Sequence, residues 1–273
     1  LPARETYQTH PNSLGALCAA LADAGARRIL IVETLYWTGP FEQILTDAGW
    51  DVRMIQSAGN HRVAFEDIRN RGNWPSYSRF EVPWGGFMFP AFDLNQRFEK
   101  TDVLISLAKL KQHACAGITG AVKNCFGNTP CSLYGNDAPG EDALLHRTEI
   151  FHNGKKQVSE SAPSELNHGY SRSQFVRVPR ITADIYGARP SDLCIVDGVR
   201  TIRGGEGHWN KGVSVIEPKV LLVGRNGVCT DAVCTAVMGF DPTTPHGQPP
   251  FPGDNHLNLL ASVGLGTNDL ERI

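Results

Sequence analysis

Asp102-Val103-Leu104-Ile105-Ser106-Leu107 runs on into Ala108-Lys109-Leu110-Lys111-Gln112-His113, an apolar stretch that ends in two lysines and a histidine within five residues. A continuous apolar run of this kind fits a strand buried on both faces of a parallel sheet. Ligands of open α/β sheets bind beyond the carboxyl ends of such strands. The expected strand is Asp102–Leu107, with Lys109, Lys111 and His113 beyond it. The plainer account is a strand end on which Lys109 and Lys111 alternate with Leu110 in solvent.

Working outward, the same character recurs in Arg28–Val32, Asp192–Val196 and Lys219–Val223. Helical patterns separate these runs. Asn12 to Gly25 has Leu14, Leu17, Cys18 and Leu21 on one stripe, with Asn12 as cap and Gly25 as stop. Further helices are expected over Pro40–Ala48, Cys229–Met238 and His256–Val263, and a strand over Asp51–Gln56. Aromatic residues, prolines and Gly85-Gly86 between Trp74 and Phe92 predict a hairpin. The class is α/β: a mainly parallel, Rossmann-like sheet holding the four apolar runs, with helices on both faces. One domain over residues 1–273 is expected. Within it, Asn128 to Pro179 reads as a long polar insertion or lid.

The 273 residues are 41% hydrophobic, enough for a sizeable core. Lys+Arg 26 against Asp+Glu 28 leaves a net charge of −2, so no global field draws the chain to nucleic acid or a membrane surface. No apolar run approaches the roughly 18–20 residues of a membrane span, so no membrane insertion is expected. The seven cysteines form no C-x-x-C pair and sit in apolar patterns, which favours small buried hydrophobes over disulfides or a cluster. The chain starts at Leu1, and the expectation is that an upstream segment, a signal peptide among the candidates, has been removed.

After His113 comes Gly117-Ile118-Thr119-Gly120-Ala121-Val122-Lys123-Asn124, a glycine-containing turn that opens a helix at Thr119 or Gly120. Free amides and the helix dipole favour an anion there, and Lys123, one turn in, leans back toward the same point. Glycine and lysine are not adjacent, so this is not a Walker loop. Asp197 ends a strand and precedes an Arg-rich loop bearing Glu206 and His208. These three offer metal ligands, with a divalent ion as the cofactor, or an acid/base pair, against the plain account of a turn and solvated charges. Asp231 lies at a helix start, where capping competes with proton transfer. Zinc spacing is absent, and His146 and His152 are six apart in a loop. His10 and His61 are assigned to the surface, and His246 and His256 to the border of the pocket.

The run from Leu107 to His113, then Gly117 to Gly127, resembles the signature of the DUF362 family, K-x-K-x-H…G-x-T-G-x-x-K-N. So do Ile195-Val196-Asp197-Gly198, Thr230-Asp231-Ala232-Val233, Met238-Gly239-Phe240-Asp241-Pro242 and Gly264-Leu265-Gly266. The resemblance covers nearly the whole chain and implies a fold class more firmly than a reaction. Many relatives look like iron–sulfur proteins with an added ferredoxin-like module. This chain lacks a C-x₂-C-x₂-C run, so no iron–sulfur cluster is expected. Some relatives carry a twin-arginine export signal, which implies export as one localisation and the cytoplasm as the other. The leading functional expectation is an enzyme that binds a small carboxylate or phosphate. Lys109, Gly117, Thr119, Gly120 and Asn124 would bind it, and Lys111, His113, Lys123 and Asp231 would be catalytic, with His113 or Asp231 as acid/base. The alternatives are a metal- or cofactor-binding redox protein, with cysteines such as Cys115, Cys125 and Cys131 around the cofactor, and a non-catalytic binding protein.

Overall fold

The computed structural model describes residues 6, 8–33, 39–68, 77–135, 147–167 and 169–273. The chain opens with α1 (Pro11–Asp23), β1 (Ile29–Glu33), α2 (Phe41–Asp47), α3 (Val52–Ala58) and β2 (Val63–Asp67). The cap of α1 is His10, whose ring accepts from the Asn12 amide, with Pro11 as first helical residue. Strands β1 and β2 pair in parallel, Ile29 opposite Val63. Leu14, Cys18, Ile55 and Val63 fill a small core between helices and strands. The strand expected over Asp51–Gln56 is instead α3. Asp51 caps it by accepting from the Met54 amide at 2.9 Å, and Ile55 is fully buried. A short run with an acid in front and its apolar residues three apart satisfies helix and strand templates alike, and the cap decides.

The expected hairpin forms from β3 (Tyr77–Glu81) and β4 (Ala91–Asn95). Then come β5 (Ile105–His113), β6 (Gly117–Thr119), α4 (Ala121–Asn124), α5 (Cys131–Tyr134), α6 (Gln174–Ala188), β7 (Leu193–Arg203), β8 (Ser214–Ile216), β9 (Val220–Gly224), α7 (Gly227–Val237) and α8 (His256–Ser262). The sheet order is β6-β5-β7-β8, with β9 also on β7. The protein is α/β, but the four apolar runs do not share one mainly parallel sheet. β1 belongs to the two-stranded sheet with β2, and of the central strands only β5 and β7 run parallel. β9 returns antiparallel to β7 after β8, which itself pairs antiparallel with the Thr201–Arg203 end of β7. β7 also runs on to Arg203, so the Arg-rich segment is strand, not loop.

The described parts of the 128–179 segment, 128–135, 147–167 and 169–179, are not a solvated excursion. Tyr134, Ile150 and Phe151 are fully buried, with Phe151 packed edge-on against Phe89 and Phe126. Arg177 forks onto Glu165 with two 2.9 Å bonds, both side chains buried, and also reaches the Ile150 carbonyl. Helix α6 begins inside this segment and contains Pro179. Proline cannot bond the Phe175 carbonyl one turn back. The Asp254 amide takes that carbonyl at 2.8 Å instead. A Cβ on Gly253 would stand 1.8 Å from the same oxygen, so only glycine permits the approach. Asp184 of α6 then accepts from the amides of Phe87, Met88 and Phe89, tying the hairpin to the helix. No helix among the described residues is long and apolar enough to cross a membrane.

Candidate anion site

Strand β5 carries Lys109, Lys111 and His113 inside the sheet rather than beyond it. Leu110 on the opposite face is fully buried in a core with Val196. Lys109 lies opposite Asp197 on β7 and meets it at 3.0 Å, with side chains 3% and 0% exposed. Burial lowers the Lys109 ammonium from its ordinary range despite the opposing carboxylate. The other Asp197 bonds come from the amides of His10 (2.9 Å) and Val199 (3.1 Å). Asp197 is therefore the buried partner of Lys109. Glu206 accepts from the Ala114 amide at 2.8 Å, and the His208 ring stands edge-on to Trp209. Among the described residues no three His, Cys, Asp or Glu side chains gather as a metal centre.

The start of α4 holds an anion, but it is the protein's own. Asp231 of α7 is fully buried and accepts from the amides of Ala121 (2.7 Å) and Val122 (2.9 Å). Burial, opposed by these two bonds, pushes its carboxyl up to about 7. Asp231 thus fastens α7 onto α4 and fills the position expected for a ligand. Gly120 is glycine because a Cβ there would lie 2.2 Å from Asp231 Oδ1. Gly120→Ala should lower stability by about 1–3 kcal/mol through overpacking, read as a drop in the urea midpoint. An unchanged midpoint would place the carboxylate elsewhere.

Lys123 is where charge is left over. Its Nζ sits 3.8 Å from the centre of the Phe126 ring. Burial, then Arg147, lowers it to about 7; Cys115 and Glu206 oppose that, and Lys111 adds to it. Lys111 is lowered to about 8 by burial, against the pull of Glu206 and with a push from Lys109. His113 falls well below its ordinary value through burial and the fields of Lys123 and Lys111. Its Nδ1 accepts from the Cys115 and Ala116 amides at 3.1 and 3.2 Å. The ring is then neutral and carries its proton on Nε2, so it offers a hydrogen-bond donor, not a base.

Three residues join that the sequence reading did not place here or left at the border. Arg147 bonds the carbonyls of Phe126, Gly127 and Thr129 and the Thr129 hydroxyl. His152 stands edge-on to Phe126, is lowered to about 4 by burial, Lys123 and Arg147, and leaves Nδ1 without a hydrogen bond. His256 is fully buried against Phe251, lowered to about 3 by burial and Lys123, and neither ring nitrogen completes a hydrogen bond. Thr119 Oγ1 is likewise buried and unpartnered. His246, expected beside His256, pairs instead with Asp254 at the surface, while His146 lies outside the described residues. The only hint in the sequence was a histidine inside an unusually long polar segment.

A cleft of about 1050 Å³ opens beside the cluster, lined by Lys109, Lys111, Thr119 and Asn124 on one side and by β1 on the other. Asn124 bonds the Ser106 hydroxyl at its wall. A smaller hollow of about 320 Å³ is lined by His113, Gly117 and Pro250. Lys111 lines the larger cleft and His113 the smaller, while Lys123 and Glu206 line neither; the electrostatic interactions of Lys123 with Lys111, His113 and Glu206 relate the four, whereas Asp197 and Asp231 are held elsewhere. The cysteines form no disulfide, and six of the seven are buried. Burial pushes the Cys115 thiol up to about 11 and Cys125 to about 12.

No curated protein matches the chain. Its backbone bears a distant likeness to the crystal structure of a Thermotoga maritima protein. That match has 11% identity and a TM-score of 0.33 over 87% of this chain, and the chain spans 61% of the other's length. The family model described as a domain of unknown function, DUF362, matches residues 2–236, and the chain belongs to that family.

Proposed function

We propose that the protein is an enzyme that binds a small carboxylate or phosphate between Lys111 and Lys123 and uses Lys123 as its acid/base. The observation that carries this reading is the setting of Lys123. Its ammonium lies over the Phe126 ring on a half-buried side chain, beside other cations, with no hydrogen-bonded carboxylate among the described residues. Positive charge that is partly desolvated beside other cations must be offset or given up. A bound anion offsets it; without one, the amine is half deprotonated near neutral pH, as an acid/base catalyst requires. His113, neutral and with its proton on Nε2 because Nδ1 accepts from two amides, donates to the anion in this reading.

Lys123→Met should weaken binding of oxalate or phosphate by about 1.5–3 kcal/mol, the worth of a charge-assisted hydrogen bond, with an unaltered circular dichroism spectrum. Isothermal titration of both proteins measures it. Equal affinities would remove the anion from Lys123.

A further inference from the structure

Resting on that reading and deepening it, we infer that Lys123 is a nucleophile that forms an imine with a small 2-oxo carboxylate. Three features of the cluster lead there. First, Nζ lies on an aromatic face with no hydrogen-bonded acceptor among the described residues, so no hydrogen bond fixes the amine in its protonated form. A lysine in an apolar setting beside other cations is the setting in which amines add to carbonyls. Second, the neighbouring cations are Lys111 and Arg147, so an electrophilic carbon that reaches Nζ must bring negative charge with it. A carboxylate on the next carbon does so. Third, His152 and His256 are neutral imidazoles with unpartnered nitrogens within the field of Lys123. Each carries one N–H and one lone pair, and imine formation needs both kinds of partner.

The step balances without an oxidant or reductant. The Nζ lone pair attacks the carbonyl carbon as the C=O π bond breaks, giving an oxyanion and an ammonium; an imidazole takes one ammonium proton on its lone pair and gives its own N–H proton to the oxygen, which leaves the neutral carbinolamine. The same relay moves the remaining N–H proton to the hydroxyl as the C–O bond breaks, so that water leaves and the C=N bond of the imine forms. Cys115 stands nearby but is held as a thiol by burial and by Glu206, so it does not compete as a nucleophile at neutral pH. Lys111 keeps the higher proton affinity of the two lysines and serves the carboxylate.

The test is reduction of the full chain with sodium borohydride in the presence of pyruvate, followed by intact mass and peptide mapping. The expected result is one reduced pyruvate adduct per chain, on Lys123. Its rate should rise as pH passes through about 7, the value set on Lys123 by burial, Arg147, Cys115, Glu206 and Lys111, with His113, His152 and His256 neutral around it. Mapping in the unmodified protein does not depend on any variant folding. Lys123→Arg, which keeps the charge, should abolish the adduct. A parallel titration with oxalate, which binds as an anion but forms no imine, separates the two readings. Oxalate binding without an adduct, or an adduct on Lys111 or on surface lysines instead, overturns the nucleophile and leaves the anion site. Failure of oxalate to bind overturns the anion site as well.

Discussion

Asp197→Ala should lower the free energy of unfolding by about 3–5 kcal/mol, the cost of stranding a buried charge. The carboxylate is fully buried and accepts from Lys109 Nζ and from the amides of His10 and Val199. Alanine removes all three bonds at once and leaves the buried Lys109 ammonium without its counter-charge. Part of that loss is recovered by shedding the proton, since burial already lowers Lys109. Urea unfolding measures the effect, as a lower midpoint with an unchanged denaturant slope. The double variant Lys109→Met, Asp197→Ala should be more stable than Asp197→Ala alone, because removing both partners leaves no lone charge. A loss under about 1 kcal/mol would mean the pair is hydrated and worth no more than a surface ion pair.

That pair also shows what the sequence conceals. The apolar run from Ile105 to Leu107 announces a strand, but β5 runs on through Lys109, Lys111 and His113. A lysine in sequence signals a solvated end; the residue that makes it a buried strand position is Asp197, on a different strand. Helix α6 is hidden for a similar reason. Pro179, Arg177 and Asp184 contradict a buried helix when read locally, and each is satisfied from afar by Asp254, Glu165 and the Phe87–Phe89 amides. Asp231 shows the opposite error. Its position near a helix start suggests capping of its own helix, yet Asn226 caps that helix and Asp231 caps another. What local spacing does reveal is the core of the site. Lys111, His113 and Lys123 fall on one strand and the short helix that follows it. Arg147, His152 and His256 reach them only through the packing of Phe126 and Phe251, which no periodicity reports.

The neutral imidazole of His256 should leave its mark on stability below neutral pH. Burial first and the Lys123 charge second hold its folded pKa at about 3, with the Ala116 backbone opposing. In the unfolded chain it returns to about 6.5. As pH falls below that value the unfolded chain binds a proton that the folded chain excludes. Stability is therefore complete above about 6.5 and is lost by about 1.4 kcal/mol per pH unit on the way down, until about 3. By pH 4 the loss from this one residue is about 3 kcal/mol. His256→Met removes the titrating group while keeping comparable bulk, so its stability should fall less steeply with acid, by about 1.4 kcal/mol per pH unit between pH 6.5 and 4. His152, unchanged in both proteins, contributes equally to each and cancels. Urea unfolding at a series of pH values gives the two slopes, whatever the difference in stability at pH 7. Parallel slopes would show that His256 protonates freely in the folded protein. It would then have water or an anion at its ring, and the buried cluster around Lys123 would carry one more positive charge than the structure assigns.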